Sequence, residues 1–259
     1  MQENAGSAPR GLVVGAVLGG VIGAGIWAAL AFGLESTFGS DRWVGHVFSS
    51  PINAASFVAF GAALGQLLQR RLLIARERCG MNVALLGSDD DTLLLPDDVK
   101  TARKQLPSVP AKQRDSLPVR LLTVGLLRAR ANWSATDVSS AIESEANLIQ
   151  EEVEASYSNI RYLAWAIPSI GFLGTVLGIG WAMGDMNVTG LDKGDTLSVA
   201  TSHLSVAFDT TFVALTLSLI LMFMLHRVEA LDDHLLTRTK SWCLRQLPLR
   251  MHIVAEKVS

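Results

Sequence analysis

The 259-residue chain is 49% hydrophobic and only 18% charged, with a net charge of −2. That balance argues against nucleic acid or a strongly anionic surface as a partner, and no basic stripe or aromatic stacking platform is present. The apolar residues gather into four blocks of about 20, the length that crosses roughly 30 Å of hydrocarbon. The expected fold class is therefore an all-α polytopic membrane protein with four transmembrane helices, the third and fourth extended into a helical cytoplasmic domain.

Residues 1–10 form a polar N-terminus. The first span covers 11–34; its apolar run is too long for the core of a secretory signal, so a retained helix is expected. Gly11, Gly15, Gly19 and Gly23 recur every four residues. They make a smooth strip on which a second helix can pack closely without a hydrophobic driving force. A polar connection, 35–51, leads to a second span over 52–68, where Gly61 and Gly65 are again four apart.

Of the 22 Lys and Arg residues, only Arg42 and Lys193 fall in the first and third connections. The positive-inside rule then places both termini and the central region, 69–161, in the cytoplasm, which requires an even number of spans. Within 69–161 an acidic turn at Ser88–Asp91 lacks the alternating ligands and terminal Glu of a calcium loop and reads as a solvated loop. Pro96, Pro107, Pro110 and Pro118 predict short helices joined by elbows. Cys79 and Cys243 lack metal-ligand spacing and read as two unrelated reduced thiols.

Ser134-Ala-Thr-Asp137 has the pattern of a helix-capping box. Val138, Ile142, Ile149, Val153, Tyr157 and Ile160 follow at helical spacing without an intervening Pro or Gly, predicting one long helix that runs on into the third span, 162–184. A connection, 185–203, is expected before the fourth span, 204–225. A C-terminal amphipathic helix, 226–259, follows, with Val228, Leu231, Leu235 and Trp242 on one side.

The third span carries Gly171, Gly174, Gly178 and Ala182 on one face, bordered by Thr175. The fourth carries Ala207, Thr211, Ala214 and Ser218 on a matching face. A threonine in a spanning helix ordinarily satisfies its hydroxyl on the carbonyl one turn back. The convergence of Thr175 with Thr210 and Thr211 makes a working role an even alternative. Pro168 removes a backbone donor one turn inside the third span and leaves a carbonyl to find another partner, as a static kink or a hinge. Asp209 is the only carboxylate plainly within a span, about 9 Å below the outer end of its helix at 1.5 Å per residue. No nucleophile elbow, zinc-binding HExxH or P-loop is present, so neither an enzyme nor a cofactor or metal site is expected. Near mid-membrane the chain offers hydroxyls but no titratable group. If it conducts protons, the central acid comes from a partner.

The stretch Ile167-Pro-Ser-Ile-Gly-Phe-Leu-Gly-Thr-Val-Leu-Gly178 resembles the third-helix signature of the MotA/TolQ/ExbB proton-channel family, and Ala207-Phe-Asp-Thr-Thr-Phe-Val-Ala-Leu215 is similar to its last-helix motif. The resemblance covers roughly 134–236. It implies a multi-pass protein of the bacterial inner membrane, five copies of which surround two copies of a single-span MotB/TolR/ExbD-like partner bearing a transmembrane aspartate. Proton flow past that aspartate, driven by the proton motive force, would turn the ring as a molecular motor. Carried over by motif, Thr175 and Thr211 flank the partner's aspartate and Pro168 shapes the helix beside it. The proton path implied comprises Thr175, Thr211, Thr210 and Asp209, with Pro168, Gly171, Gly174, Gly178, Ala207 and Ala214 setting helix shape and packing. Four spans resemble the flagellar-stator branch, whereas the Gly-Phe-Leu-Gly-Thr-Val wording is closer to the three-span TolQ/ExbB branch. The alternative from another class is an oligomeric membrane scaffold that conducts no ions.

Overall fold

The structure is a computed structural model that describes residues 14–26, 28–29, 50–80, 99–102, 116–186 and 193–251. Every element among the described residues is helical. In chain order these are α1 (Val14–Ile26), α2 (Pro51–Gly80), α3 (Leu117–Ala131), α4 (Ala135–Met186) and α5 (Lys193–Leu244), followed by a π-helical turn, Arg245–Leu249. A helical turn also lies at 99–102. Among the described residues three helices, α2, α4 and α5, are long and apolar enough to cross a membrane. Within the first expected span the structure describes the 13 residues of α1, about 20 Å at 1.5 Å per residue, and residues 28–29. The N-terminus, the acidic turn and three of the four central prolines (Pro96, Pro107, Pro110) lie outside the described residues.

The chain divides into two compact units, Met1–Arg70 with Tyr157–Arg227, and Arg71–Ser156 with Val228–Ser259. In the first unit, α1 and α2 approach through glycine. A methyl group added to Gly19 would stand 2.8 Å from the Gly65 Cα, and one on Gly61 would stand 2.6 Å from the Gly23 Cα. No real side chain sits that close, so the glycine strip read from the sequence has α2 as its partner, and only hydrogen at these positions permits the contact. Gly15 faces the backbone of Gly65 and the side chain of Gln69. Gly11 lies outside the described residues. The α2–α4 contact includes polar pairs: Asn159 Nδ2 donates to the buried Gln66 Oε1 at 3.2 Å, and the Arg70 guanidinium lies 5.9 Å over the Tyr157 ring.

The outward faces of this unit are apolar. Leu219 is 74% exposed, Trp165 and Phe223 each 68%. Surfaces this oily are stable against hydrocarbon, where a helix satisfies its own backbone and needs no polar coat.

The second unit has an ordinary buried core, built by α3, the N-terminal half of α4 and the C-terminal part of α5. Leu121, Leu122, Leu126, Val138, Ile142, Cys243 and Leu247 are almost entirely buried there. Gly125 of α3 sits where an added methyl would press on Leu247 and Ile142 at 3.0–3.1 Å, which lets α3 lie flat on its neighbours. Arg120 fixes α3 to α4: its Nε reaches Glu145 at 2.7 Å and its fork grips both oxygens of Glu152 at 2.9 and 3.1 Å. The side-chain bond from Arg120 lowers the Glu152 carboxyl below the ordinary carboxylate range, against a smaller opposing effect of burial.

The long helix begins as the sequence indicates. Ser134 Oγ accepts from the Asp137 amide at 3.4 Å and Ser134 O from the Val138 amide at 3.0 Å. The Asp137 carboxylate, however, turns to the Asn132 amide rather than back to Ser134, so only half of the capping box forms. From there α4 runs 52 residues without a break, Pro168 included. The expected connection 185–203 is shorter in the structure, because α4 continues to Met186 and α5 already begins at Lys193. Gly194 and Asp195 do not delay the helix; both are tolerable in a first turn. At the other end Pro248, which cannot donate, is accommodated where α5 loosens into the π-helical turn.

Candidate functional site

α4 and α5 pack antiparallel, and their small faces interlock. A methyl on Gly178 would stand 2.7 Å from the Ala207 Cβ, and one on Gly174 2.8 Å from the Thr210 Cβ. Gly171 meets Ala214 and the backbone of Thr210 and Thr211 in the same way. Ala207 and Ala214 are completely buried. The structure therefore brings together the six residues singled out for helix shape and packing, apart from Pro168, which lies one turn before Gly171 on α4.

Inside this interface the two threonines meet. The hydroxyls of Thr175 and Thr211 are hydrogen-bonded to each other. Each also lies within reach of the same two carbonyls. Thr175 Oγ1 is 3.3 Å from Gly171 O and 3.2 Å from Ala207 O; Thr211 Oγ1 is 3.2 Å from each. One carbonyl of each pair belongs to the threonine's own helix and the other to the neighbour. The common habit of bonding one turn back is thus shared across the interface.

The arrangement has a surplus. Ala207 O is approached by three hydroxyls, those of Thr175, Thr211 and Thr210, the last at 2.9 Å. A carbonyl has two lone pairs and α5 already uses this one for its own ladder. The three protons cannot all rest there. Those of Thr175 and Thr211 have alternative acceptors, and exchanging them among the carbonyls and each other needs only hydroxyl rotation. Both threonines are half-buried rather than sealed. Phe172, Phe208, Phe212 and Leu215, close to them along the two helices, are exposed. A group brought against this face would find two hydroxyls able to donate or accept in apolar surroundings.

Thr210 and Asp209 are placed differently. Thr210 is fully buried against Gly174, its hydroxyl held by Ala207 O. Asp209 is buried at 7% exposure, but it stands two residues before Thr211, about 200° around the helix. The structure therefore gathers Thr175 and Thr211 at one point and leaves Asp209 on another face.

Two further ties close the interface. Ser218 Oγ donates to Ala164 O at 2.9 Å, and at the far end His203 Nε2 pairs with Asp185 Oδ2 at 3.0 Å beside the Trp181 ring. The His203–Asp185 pair was not among the expected site residues. Their spacing of 18 in sequence gave no signal until the antiparallel register was known. Among the described residues no group of His, Cys, Asp and Glu could hold a metal ion.

Residues 113–241, about half of the chain, match the model of the MotA/TolQ/ExbB proton channel family. The chain belongs to this family. The match takes in both motifs, all of α4 and all but the last three residues of α5, and with three helices among the described residues able to span a bilayer the protein is a membrane protein of the proton-channel type. No curated protein and no solved structure matches the chain.

Proposed function

We propose that this MotA/TolQ/ExbB family member is the proton-conducting subunit of a motor driven by the proton motive force. The observation that carries the reading is the Thr175–Thr211 pair, two hydrogen-bonded hydroxyls that share the same two carbonyl acceptors, set at an apolar, half-open face. Hydroxyls can pass a proton but not store one at neutral pH. A conducting path through them needs an acid from another chain, and a single-span partner with a transmembrane aspartate supplies it. Copies of this chain, five in the expected assembly, surround that partner helix in the inner membrane. Thr175 and Thr211 solvate the aspartate as it changes protonation, and Pro168 shapes the wall beside it. Thr210 serves the α4–α5 contact, and Asp209 modulates the path from a different face. Both termini and residues 69–161 lie in the cytoplasm in this reading, with α1 completing a fourth span.

Proton uptake by sealed vesicles containing the chain and its single-span partner tests the proposal. Uptake should appear only with both chains and vanish when the partner's transmembrane Asp is changed to Asn. Uptake that persists in that variant, or no uptake with an assembled complex, supports an oligomeric scaffold without conduction instead.

A further inference from the structure

Pro168 has no amide hydrogen, so the carbonyl four residues back, that of Ala164, lacks its helical donor, and the proline ring crowds the same carbonyl. Ala164 is 3% exposed, too deep to turn this oxygen to water. Its bond comes from the other helix, from Ser218 Oγ at 2.9 Å. Other hydroxyls in the same stretches behave differently. Ser169 donates to Trp165 O at 3.1 Å and Thr216 to Phe212 O at 2.8 Å, each within its own helix. Ser218 is 9% exposed and donates across the interface to the carbonyl that proline leaves free.

We propose that Ser218 is a positioning residue whose hydroxyl replaces the amide missing at Pro168, latching the proline turn of α4 to α5. The register extends the consequence. Pro168 precedes Thr175 by seven residues and Ser218 follows Thr211 by seven, so the latch lies two turns, about 10 Å, from the threonine pair in the same interface. Between them Gly171 packs closely on Ala214. Releasing the latch frees the proline turn and shifts Thr175 against Thr211. This last step rests on the conduction proposed above; the latch itself does not.

The test is a double-mutant cycle on the purified full-length chain, read first by thermal unfolding. S218A should lower the melting temperature by about 2–4 °C, the shift expected for one lost buried hydrogen bond in a chain of this size. In the P168A background, where an amide again serves Ala164 O, S218A should change it little. Equal losses in the two backgrounds would overturn the latch. In vesicles with the partner, S218A should slow proton uptake about 5-fold, a barrier change of about 1 kcal/mol, and S218T, which keeps the hydroxyl, should restore it. Unchanged uptake in S218A would overturn the positioning role. If wild-type vesicles take up no protons, the conduction reading fails, while the melting cycle still decides the latch.

Discussion

At the scale of single residues, the hydroxyl and not the shape of Thr175 and Thr211 is what the account requires. The pair lies on Gly171 O and Ala207 O, and a serine at either position can reach the same carbonyls. T175S and T211S should therefore keep proton uptake within about threefold of the wild type, a barrier change of under about 0.7 kcal/mol. T210V should alter uptake far less than it alters stability, because its hydroxyl bonds its own helix in a fully buried contact. A buried hydroxyl deleted in this way costs about 1 kcal/mol, measurable as a lowered melting temperature. Uptake assays on the three variants side by side separate the two kinds of threonine. That Thr175 and Thr211 belong to facing surfaces was legible in the sequence, because one borders and the other lies within a face of small residues at helical spacing. The division of labour between Thr210 and Thr211 was not. Adjacent residues on a helix point about 100° apart, and only the register of the partner helix tells which one faces the pair.

At the scale of elements, glycine decides which helices touch. α1 and α2 interlock through Gly15, Gly19, Gly23, Gly61 and Gly65, with no room for a single added carbon at Gly19 or Gly61. Gly61→Leu should force these helices apart and cost about 2 kcal/mol or more, an overpacking penalty seen as loss of the folded chain in detergent. Gly180 and Gly184 have open space around them, and G180A should leave stability within about 0.5 kcal/mol of the wild type. The four-residue glycine period announced a close contact from the sequence, but the period is the same whichever helix answers it, so the identity of α2 as partner waited for the structure. The unbroken α4 was legible from Ser134 onward. The early start of α5 at Lys193 was not, since residues 185–203 read as a connection and only the continuing helix reveals where it begins.

At the scale of the whole molecule, the chain builds two units by different rules. One presents apolar side chains outward and packs through glycine; the other buries a leucine-rich core and ties it with charge. The second should therefore answer to pH. Glu152 is held below the ordinary carboxylate range by Arg120, so it binds its proton less readily folded than unfolded. Its contribution is complete above the unfolded value, near pH 4.3, and disappears as pH falls through the lowered folded value. Melting temperatures followed downward from pH 6 should drop in the wild type through this window and drop less in E152Q, which has already lost the ion pair. The Arg120 contacts span 25 and 32 residues in sequence. No periodicity reaches that far, and the evenly balanced charges of the central region pointed to no particular partner. Family membership, by contrast, was readable from two short motifs, because they encode the interlocking faces of α4 and α5 themselves.

If protons pass the Thr175–Thr211 pair, proton uptake by vesicles carrying the chain with its partner must respond to T175V and T211V. Valine keeps the branched shape and removes only the hydroxyl, so assembly, followed by co-purification of the two chains, should stay intact. Uptake should fall about 10-fold or more in each variant, a barrier increase of at least about 1.4 kcal/mol. Wild-type uptake in both variants, with the complex assembled, would contradict the account.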